Sequence, residues 1–359
     1  MICENLERTL DAVNHPATEM TAVRMHDHGG PDVLVVESAP VPVPDAGHVL
    51  VRVRAAAVNH LDLDIRSGVS RLPITFPHVL GMEAAGEVAA VGAGAEHVSV
   101  GDRVAVLYQS HCGRCAFCAA GQDSMCAAGK LFGVHRPGAY AEYMTAPAEL
   151  LVPLPDHVVF EDAAAVQLSF GTAWHALVGR AGLRAGETVL VSAAGSGVGS
   201  AAVQIAVLRG ARVVASVGSD EKARRAAELG AEIVVDYSRE PLTETVRAAT
   251  GGVDVVLEHV GGTLFEDSVR CLRPGGRVVV VGAHGGEQAT LDLIELFRNQ
   301  WSIIGSRRAT DAELRHVFDL LFGGELRPAI YAALPLERAA DAHELLDSRR
   351  HFGKVLLTT

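Results

Sequence analysis

The stretch Thr188-Val189-Leu190-Val191-Ser192-Ala193-Ala194-Gly195-Ser196-Gly197-Val198-Gly199 decides the fold. An apolar, β-branched run passes into a glycine-rich turn and then into Ser200-Ala201-Ala202-Val203-Gln204-Ile205, which reads as a helix. Glycines let backbone N–H groups approach a pyrophosphate, and the helix N-terminus adds about half a positive charge. Ser196, Gly197 and Val198 are therefore candidate cofactor contacts. The strict G-x-G-x-x-G is absent, because Ala194 and Ser196 stand where the first two glycines would be. A lone glycine-rich turn is a weak signal, but the strand before it and the helix after it strengthen the reading.

Outward from this turn the same grammar repeats. Apolar runs at 211–217, 233–236, 254–260, 277–281 and 301–305 alternate with helical stretches, as in a parallel doubly wound sheet. Before residue 161 the pattern differs. Residues 48–58 alternate, with Val49, Val51 and Val53 on one face and Leu50, Arg52 and Arg54 on the other. Short strand-like pieces follow at 86–91, 102–107 and 140–144, separated by Gly, Pro and Asp turns, which indicates a compact β-rich domain. Past the last run, Thr310 and Glu313 form a capping box ahead of a stripe of Leu314, Val317, Phe318 and Leu321. The tail ends in a strand, 353–357, that most simply returns to complete the first domain. The fold class is α/β. The expected domains are a β-rich one over 20–160 and 305–359 and a doubly wound one over 161–304, after a loose extension over 1–19.

Length and composition agree. At ~150 residues per domain, 359 residues make about two. The chain is 49% hydrophobic, and its 43 acidic against 31 basic residues give −12. That balance argues against a nucleic-acid or anionic-membrane surface. No apolar run approaches the ~18 residues of a membrane-spanning helix, and residues 1–16 lack the apolar core of a secretion signal. The expected compartment is the reducing cytoplasm, where cysteines read first as thiols or metal ligands.

Cys112, Cys115, Cys118 and Cys126 have the spacing C-x2-C-x2-C-x7-C in one short loop. Four thiolates so placed suit one tetrahedral, substrate-closed structural Zn²⁺ per chain. An iron–sulfur cluster, a redox set and chance clustering are the other readings. In the second run, Val217 occupies the tip where an NAD-selective site carries an acid for the ribose 2′-OH. The small polar turn Gly218-Ser219 with Lys222 one helical turn on fits a 2′-phosphate better, hence NADPH. Asp220 and Glu221 are contrary signs, and Ser219 as a plain N-cap with a solvated Lys222 is the bland alternative.

These residues together resemble the medium-chain dehydrogenase/reductase superfamily, most of all its quinone oxidoreductase (zeta-crystallin-like) branch. The segments that carry the resemblance are Val58-Asn59-His60-Leu61-Asp62, Gly81-Met82-Glu83-Ala84-Ala85-Gly86, the cysteine lobe, Thr172-Ala173-Trp174-His175-Ala176-Leu177, the glycine-rich turn, Gly275-Gly276-Arg277 and Val281-Gly282. The resemblance implies a GroES-like catalytic domain split around a Rossmann domain, and a homodimer. It implies that Lys222 and Tyr237 contact the NADPH 2′-phosphate, with further cofactor contacts at Thr172, Val260, Gly282 and Ala283. It also exposes a departure. The positions that hold the catalytic zinc in zinc alcohol dehydrogenases are Asn59, Met82 and Leu168 here, a poor ligand set for a Lewis acid.

Without that metal, alkoxide charge on an ordinary ketone has little to stabilise it. Hydride addition to a conjugated C=C or a quinone spreads the charge instead. The expected activity is therefore NADPH-dependent reduction of an enone, an enoyl compound or a quinone, with reductive cyclisation of a natural-product precursor as a specialised version. Asn59 is the candidate polar contact, beside its alternative as a turn residue. His60 is a candidate proton donor, beside its alternative as a packing histidine. Asp62 lies next to them, and Thr172 either touches the nicotinamide or caps a helix. Asp64 stands where the branch often carries a tyrosine. The competing readings are a zinc alcohol dehydrogenase with a site rearranged onto His60, Asp62 or Glu83, and a cofactor-binding protein without turnover. The apolar run 301–305, at a sheet edge, favours pairing with a second chain.

Overall fold

The computed structural model describes residues 18–359. The expected extension over 1–19 lies outside the described residues except for its last two positions, and of these Glu19 already opens the strand Glu19–Met25, opposite Pro40 of Val35–Pro40. Among the described residues, no helix is long and apolar enough to cross a membrane.

The doubly wound sheet forms as expected. Its strands lie in the order Ile233–Asp236, Arg212–Val217, Thr188–Val191, Val253–Glu258, Leu272–Val280, Ser302–Gly305, all parallel. The order reverses direction on either side of Thr188–Val191, and a crevice opens at the carboxyl ends of the strands at such a switch point. The glycine-rich turn therefore sits at its mouth. Ser196 caps the helix Gly197–Leu208 by accepting from Gly199 N–H at 2.9 Å. Gly199 has to be small, since a Cβ there would stand 2.4 Å from the Ala193 carbonyl oxygen. The run expected over 188–193 stops at Val191, because Ala193 takes a left-handed turn conformation (φ 44°).

The second sheet runs in the order Leu151–Pro153, Arg103–Val106, Glu83–Val91, His48–Val58, Lys354–Thr358, Ile330–Pro335, with Tyr143–Pro147 also paired to His48–Val58. The tail strand does return, antiparallel to His48–Val58, with Val355 opposite Val58. It thereby carries Lys354 back to residues near the other end of the chain. His48–Val58 is less two-faced than its alternation suggests, as Leu50 and Ala55 to Val58 are buried too. The strand expected at 140–144 begins three residues later. Tyr140 N–H and Ala139 N–H donate to the carbonyls of Leu80 and Gly81 instead, at 3.0 and 2.9 Å. The Thr310–Glu313 capping box forms, with Glu313 N–H 3.2 Å from the Thr310 hydroxyl and Thr310 N–H 2.8 Å from the Glu313 carboxylate.

Candidate active site and cysteine lobe

Asn59 stands between the strand His48–Val58 and the helix His60–Ser67, and its side chain is buried against neighbouring strands of the second sheet. Its amide is fully engaged. Nδ2 donates to Glu83 Oε2 at 2.9 Å and to the Ala57 carbonyl at 3.2 Å, while Oδ1 accepts from Lys354 Nζ at 2.7 Å. Two acceptors on one side and an ammonium on the other fix which atom is which. Lys354 Nζ also donates to Glu83 Oε2 at 2.7 Å, and Glu83 Oε1 accepts from Leu168 N–H at 2.6 Å. Asn59 and Leu168 thus do meet, but around a carboxylate that is wholly buried and already neutralised by an ammonium only 4% exposed, and Met82 is the residue before that carboxylate in the chain. A divalent cation does not fit there. It would meet a like charge, one amide oxygen already hydrogen-bonded, a thioether and an alkyl side chain.

Asp62 is fully buried below this network. It accepts from Asn59 N–H at 2.8 Å, from Gly81 N–H at 3.3 Å and from the Tyr140 hydroxyl at 3.2 Å. Burial pushes its carboxyl up to about 7 against those bonds. The chain continues from Tyr140 to His343 Nε2 at 3.2 Å, and Arg66 donates to His343 Nδ1 at 3.4 Å. Because Arg66 can only donate, His343 Nδ1 accepts, Nε2 donates to Tyr140, and Tyr140 donates to Asp62. Gly81 is required at this point: its φ is 97°, and a Cβ would lie 2.5 Å from the Tyr140 ring. Asp62 is therefore an internal anchor with no surface toward the crevice.

The crevice itself is lined by His60, Gly195, Ser196, Val217, Gly218, Lys222, Tyr237, His259, Val260, His284, Arg349 and His351, among others. His60 faces it rather than Asn59, its ring 4.7 Å from that of His284. Ser196 Oγ meets His259 Nε2 at 2.9 Å. Lys222 is partly buried. Its stem lies over Gly195, and Nζ donates to the Arg349 carbonyl at 2.5 Å. Ser219 does cap the following helix, with Lys222 N–H 3.4 Å from its hydroxyl. The Tyr237 hydroxyl reaches the face of Gly218. Asp220 is held away in a paired contact with Arg239 at 2.5 and 2.8 Å. Gly282 packs against His259, and Ala283 lines an adjoining cleft of about 720 Å³ that shares His60, His284 and Arg349. Thr172 is half-buried on the last turn of Phe160–Trp174 and is not among the crevice-lining residues. Sequence reasoning missed Lys354, Arg349, His259, His284 and His351. The only local signal was the polar run Ser348-Arg349-Arg350-His351 ahead of the returning strand.

The four lobe cysteines converge so that their sulfur atoms all lie within 4.8 Å of one another, with Cys115–Cys118 at 3.5 Å and Cys112–Cys118 at 3.9 Å. Sulfur atoms ~2.3 Å from a tetrahedral Zn²⁺ stand ~3.8 Å apart, so the donor set fits that ion. The pair Gln109–Ser110 and Lys130–Leu131 closes the base of the loop.

Residues 45–156 match the alcohol dehydrogenase GroES-like domain family, and residues 197–323 match the zinc-binding dehydrogenase family. The quinone oxidoreductase of Rattus norvegicus is 32% identical over 348 residues, covering 94% of this chain and 97% of that one. The chain belongs to the medium-chain dehydrogenase/reductase superfamily. The acryloyl-coenzyme A reductase of Metallosphaera sedula is 33% identical over 89% of this chain and 94% of its own length. The crystal structure of an NAD-dependent alcohol dehydrogenase superposes with a TM-score of 0.91 at 45% identity, covering 95% of this chain and all of that one. This medium-chain dehydrogenase/reductase is accordingly an oxidoreductase with a GroES-like and a Rossmann domain.

Proposed function

We propose that the protein is an NADPH-dependent reductase that delivers hydride to an activated C=C or a quinone without a catalytic zinc. The observation that carries this reading is the Lys354–Asn59–Glu83 cluster, which engages both ends of Asn59, one of the three positions where the resemblance puts catalytic-zinc ligands. The dinucleotide, when bound, supplies the hydride. The chain's own part is to seat it on the Gly195–Gly199 turn and to exclude water with the buried core beneath Asn59. A conjugated acceptor suits this site, because its developing negative charge is delocalised and needs no Lewis acid.

The preference for NADPH rests on the turn after Arg212–Val217. Val217 brings no carboxylate to the ribose, Lys222 and Arg349 bring two cations, and Arg239 ties Asp220 aside. Lys222→Ala is expected to raise KM for NADPH by about 10–100-fold, the scale of one to two charge-assisted contacts. KM for NADH should change by less than threefold. Equal losses with both cofactors would remove the 2′-phosphate reading. Cys112, Cys115, Cys118 and Cys126 hold the structural zinc in this reading, and two chains pair through the exposed edge of Ser302–Gly305.

The zinc alcohol dehydrogenase alternative finds no geometric support among the described residues. Asp62 and Glu83 are buried and satisfied, and the His60 ring lies tilted against that of His284. Elemental analysis beside a substrate panel tests the choice. One zinc per chain, with NADPH oxidised by enones or quinones, is the expected result. Two zincs per chain with metal-dependent turnover of simple alcohols would overturn it.

A further inference from the structure

The three-stranded sheet of Val35–Pro40, Glu19–Met25 and His78–Val79 packs through small side chains. Ala22, Ala39 and Ala141 are its buried apolar core, and a backbone bridge joins Ala22 to Ala141. A methyl group fills far less space than a Leu or Phe side chain, so room is left beside them. Ala39 and Ala141 line a cavity of about 420 Å³ there, together with Met20, Phe132 and Met144. Pro40, Pro42, Pro77 and Pro137 also face it, and their fixed φ stiffens its wall. The volume is that of a small-molecule site. The cavity shares no lining residue with the dinucleotide crevice or the adjoining cleft, so its occupancy is independent of the dinucleotide reading.

Arg136 gives this cavity its chemistry. Its Nη2 donates to the Ser110 hydroxyl at 2.8 Å, and its Cζ stands 4.9 Å from the centre of the Phe132 ring. Nε and Nη1 make no hydrogen bond among the described residues, and no carboxylate there pairs with the guanidinium. Burial pulls its pKa below the usual arginine range, with no acid to offset this. The other arginine on the cavity, Arg24, is already matched by Glu37 at 2.9 Å. The one carboxylate among the lining residues is that of Asp45, which is exposed. A half-buried guanidinium at an apolar wall, without a counter-ion, favours a ligand that brings one. We propose that this cavity is a second ligand site and takes a monocarboxylate with an apolar body, its head on Arg136 and its body along Met20, Phe132 and Met144. Asp45 limits the ligand's charge, because a second carboxylate would meet a like charge.

The test is calorimetric titration of the full chain with octanoate, octan-1-ol and suberate, which share a chain length and differ in their carboxylates. Octanoate is expected to bind about tenfold tighter than either of the others, the scale of one charge-assisted contact. Arg136→Met keeps an apolar side chain at the wall and should erase the difference between octanoate and octan-1-ol. A second readout needs no variant. In ¹³C-methyl methionine spectra of the unmodified protein, octanoate should move the signals of Met20 and Met144, which line the cavity, and leave those of Met82 and Met125, which do not. Equal affinity for octanoate and octan-1-ol, or for octanoate and suberate, would overturn the proposal. So would a preference for octanoate that survives in Arg136→Met, shifts at Met82 in place of Met20 and Met144, or no binding of octanoate below about 1 mM.

Discussion

Lys354 is buried to within 4% of its surface, and what holds its charge there is a pair of acceptors 2.7 Å away on Asn59 and Glu83. Removing one member of such a pair leaves the other charged and unpaired, at a cost of about 3–5 kcal/mol. Lys354→Met should therefore lower the melting temperature sharply, while the double variant Lys354→Met/Glu83→Gln should recover most of the loss. Chemical denaturation of the three proteins checks this, and equal stability of single and double variants would contradict the pairing. Asp62 argues the opposite sign of linkage. Its folded carboxyl is raised to about 7 by burial, so the folded state keeps a proton that the unfolded chain gives up near pH 4. Stability is fully present below that pH and declines as pH rises toward 7. Asp62→Asn should flatten the stability profile between pH 4 and 7, as read by denaturant midpoints. Asn59 was legible in the sequence because its strand–helix junction is local. Lys354 and His343 were not, since their partners lie 271 to 295 and 203 residues away, and no periodicity reports such meetings.

Among the elements, the cysteine lobe has the least packing of its own. Its helix Ala116–Ala119 and turn Asp123–Met125 are single turns, and neither buries an apolar side chain of any size. Structural zinc contributes about 10–16 kcal/mol of apparent binding energy in peptides of comparable size, enough to fold such a loop. Chelation, or Cys115→Ser, should release one zinc per chain and raise amide exchange across residues 109–131, leaving the strand Thr188–Val191 protected. Unchanged exchange in the lobe after zinc loss would mean that it folds without the ion. Elements with a self-contained signal were readable: the glycine-rich turn, the capping box at Thr310 and the cysteine spacing each satisfy local hydrogen bonds or ligands. The strand near residue 140 was misplaced because its start is set by the backbone of Leu80 and Gly81, a contact between distant segments. The same limit applied to the crevice, whose floor was recognised from one turn while its histidines arrive from four.

At the scale of the whole molecule, an edge of the doubly wound sheet is open among the described residues. Ser302–Gly305 pairs with Leu272–Val280 on one side only, and Ile303 on it is 43% exposed. Next to it in sequence, the short helix Leu293–Arg298 exposes Leu293, Ile294 and Phe297 at 66%, 53% and 65%. An apolar edge left open invites uncontrolled pairing, so a second copy meeting it edge to edge is the economical cover. Stable pairing needs ~800 Å² buried per partner, and the helix supplies apolar side chains that the strand alone lacks. Sedimentation velocity should then give a particle of twice 37.7 kDa. Ile303→Glu with Phe297→Glu would set like charges against each other across the two-fold axis and should shift it to the single-chain mass. Neither residue lines the crevice or the cysteine lobe, so zinc content and dinucleotide affinity of the monomer should stay as they were. A wild-type protein that sediments as one chain would refute the pairing, and so would a double variant that remains paired. In either case the exposed helix would need another explanation.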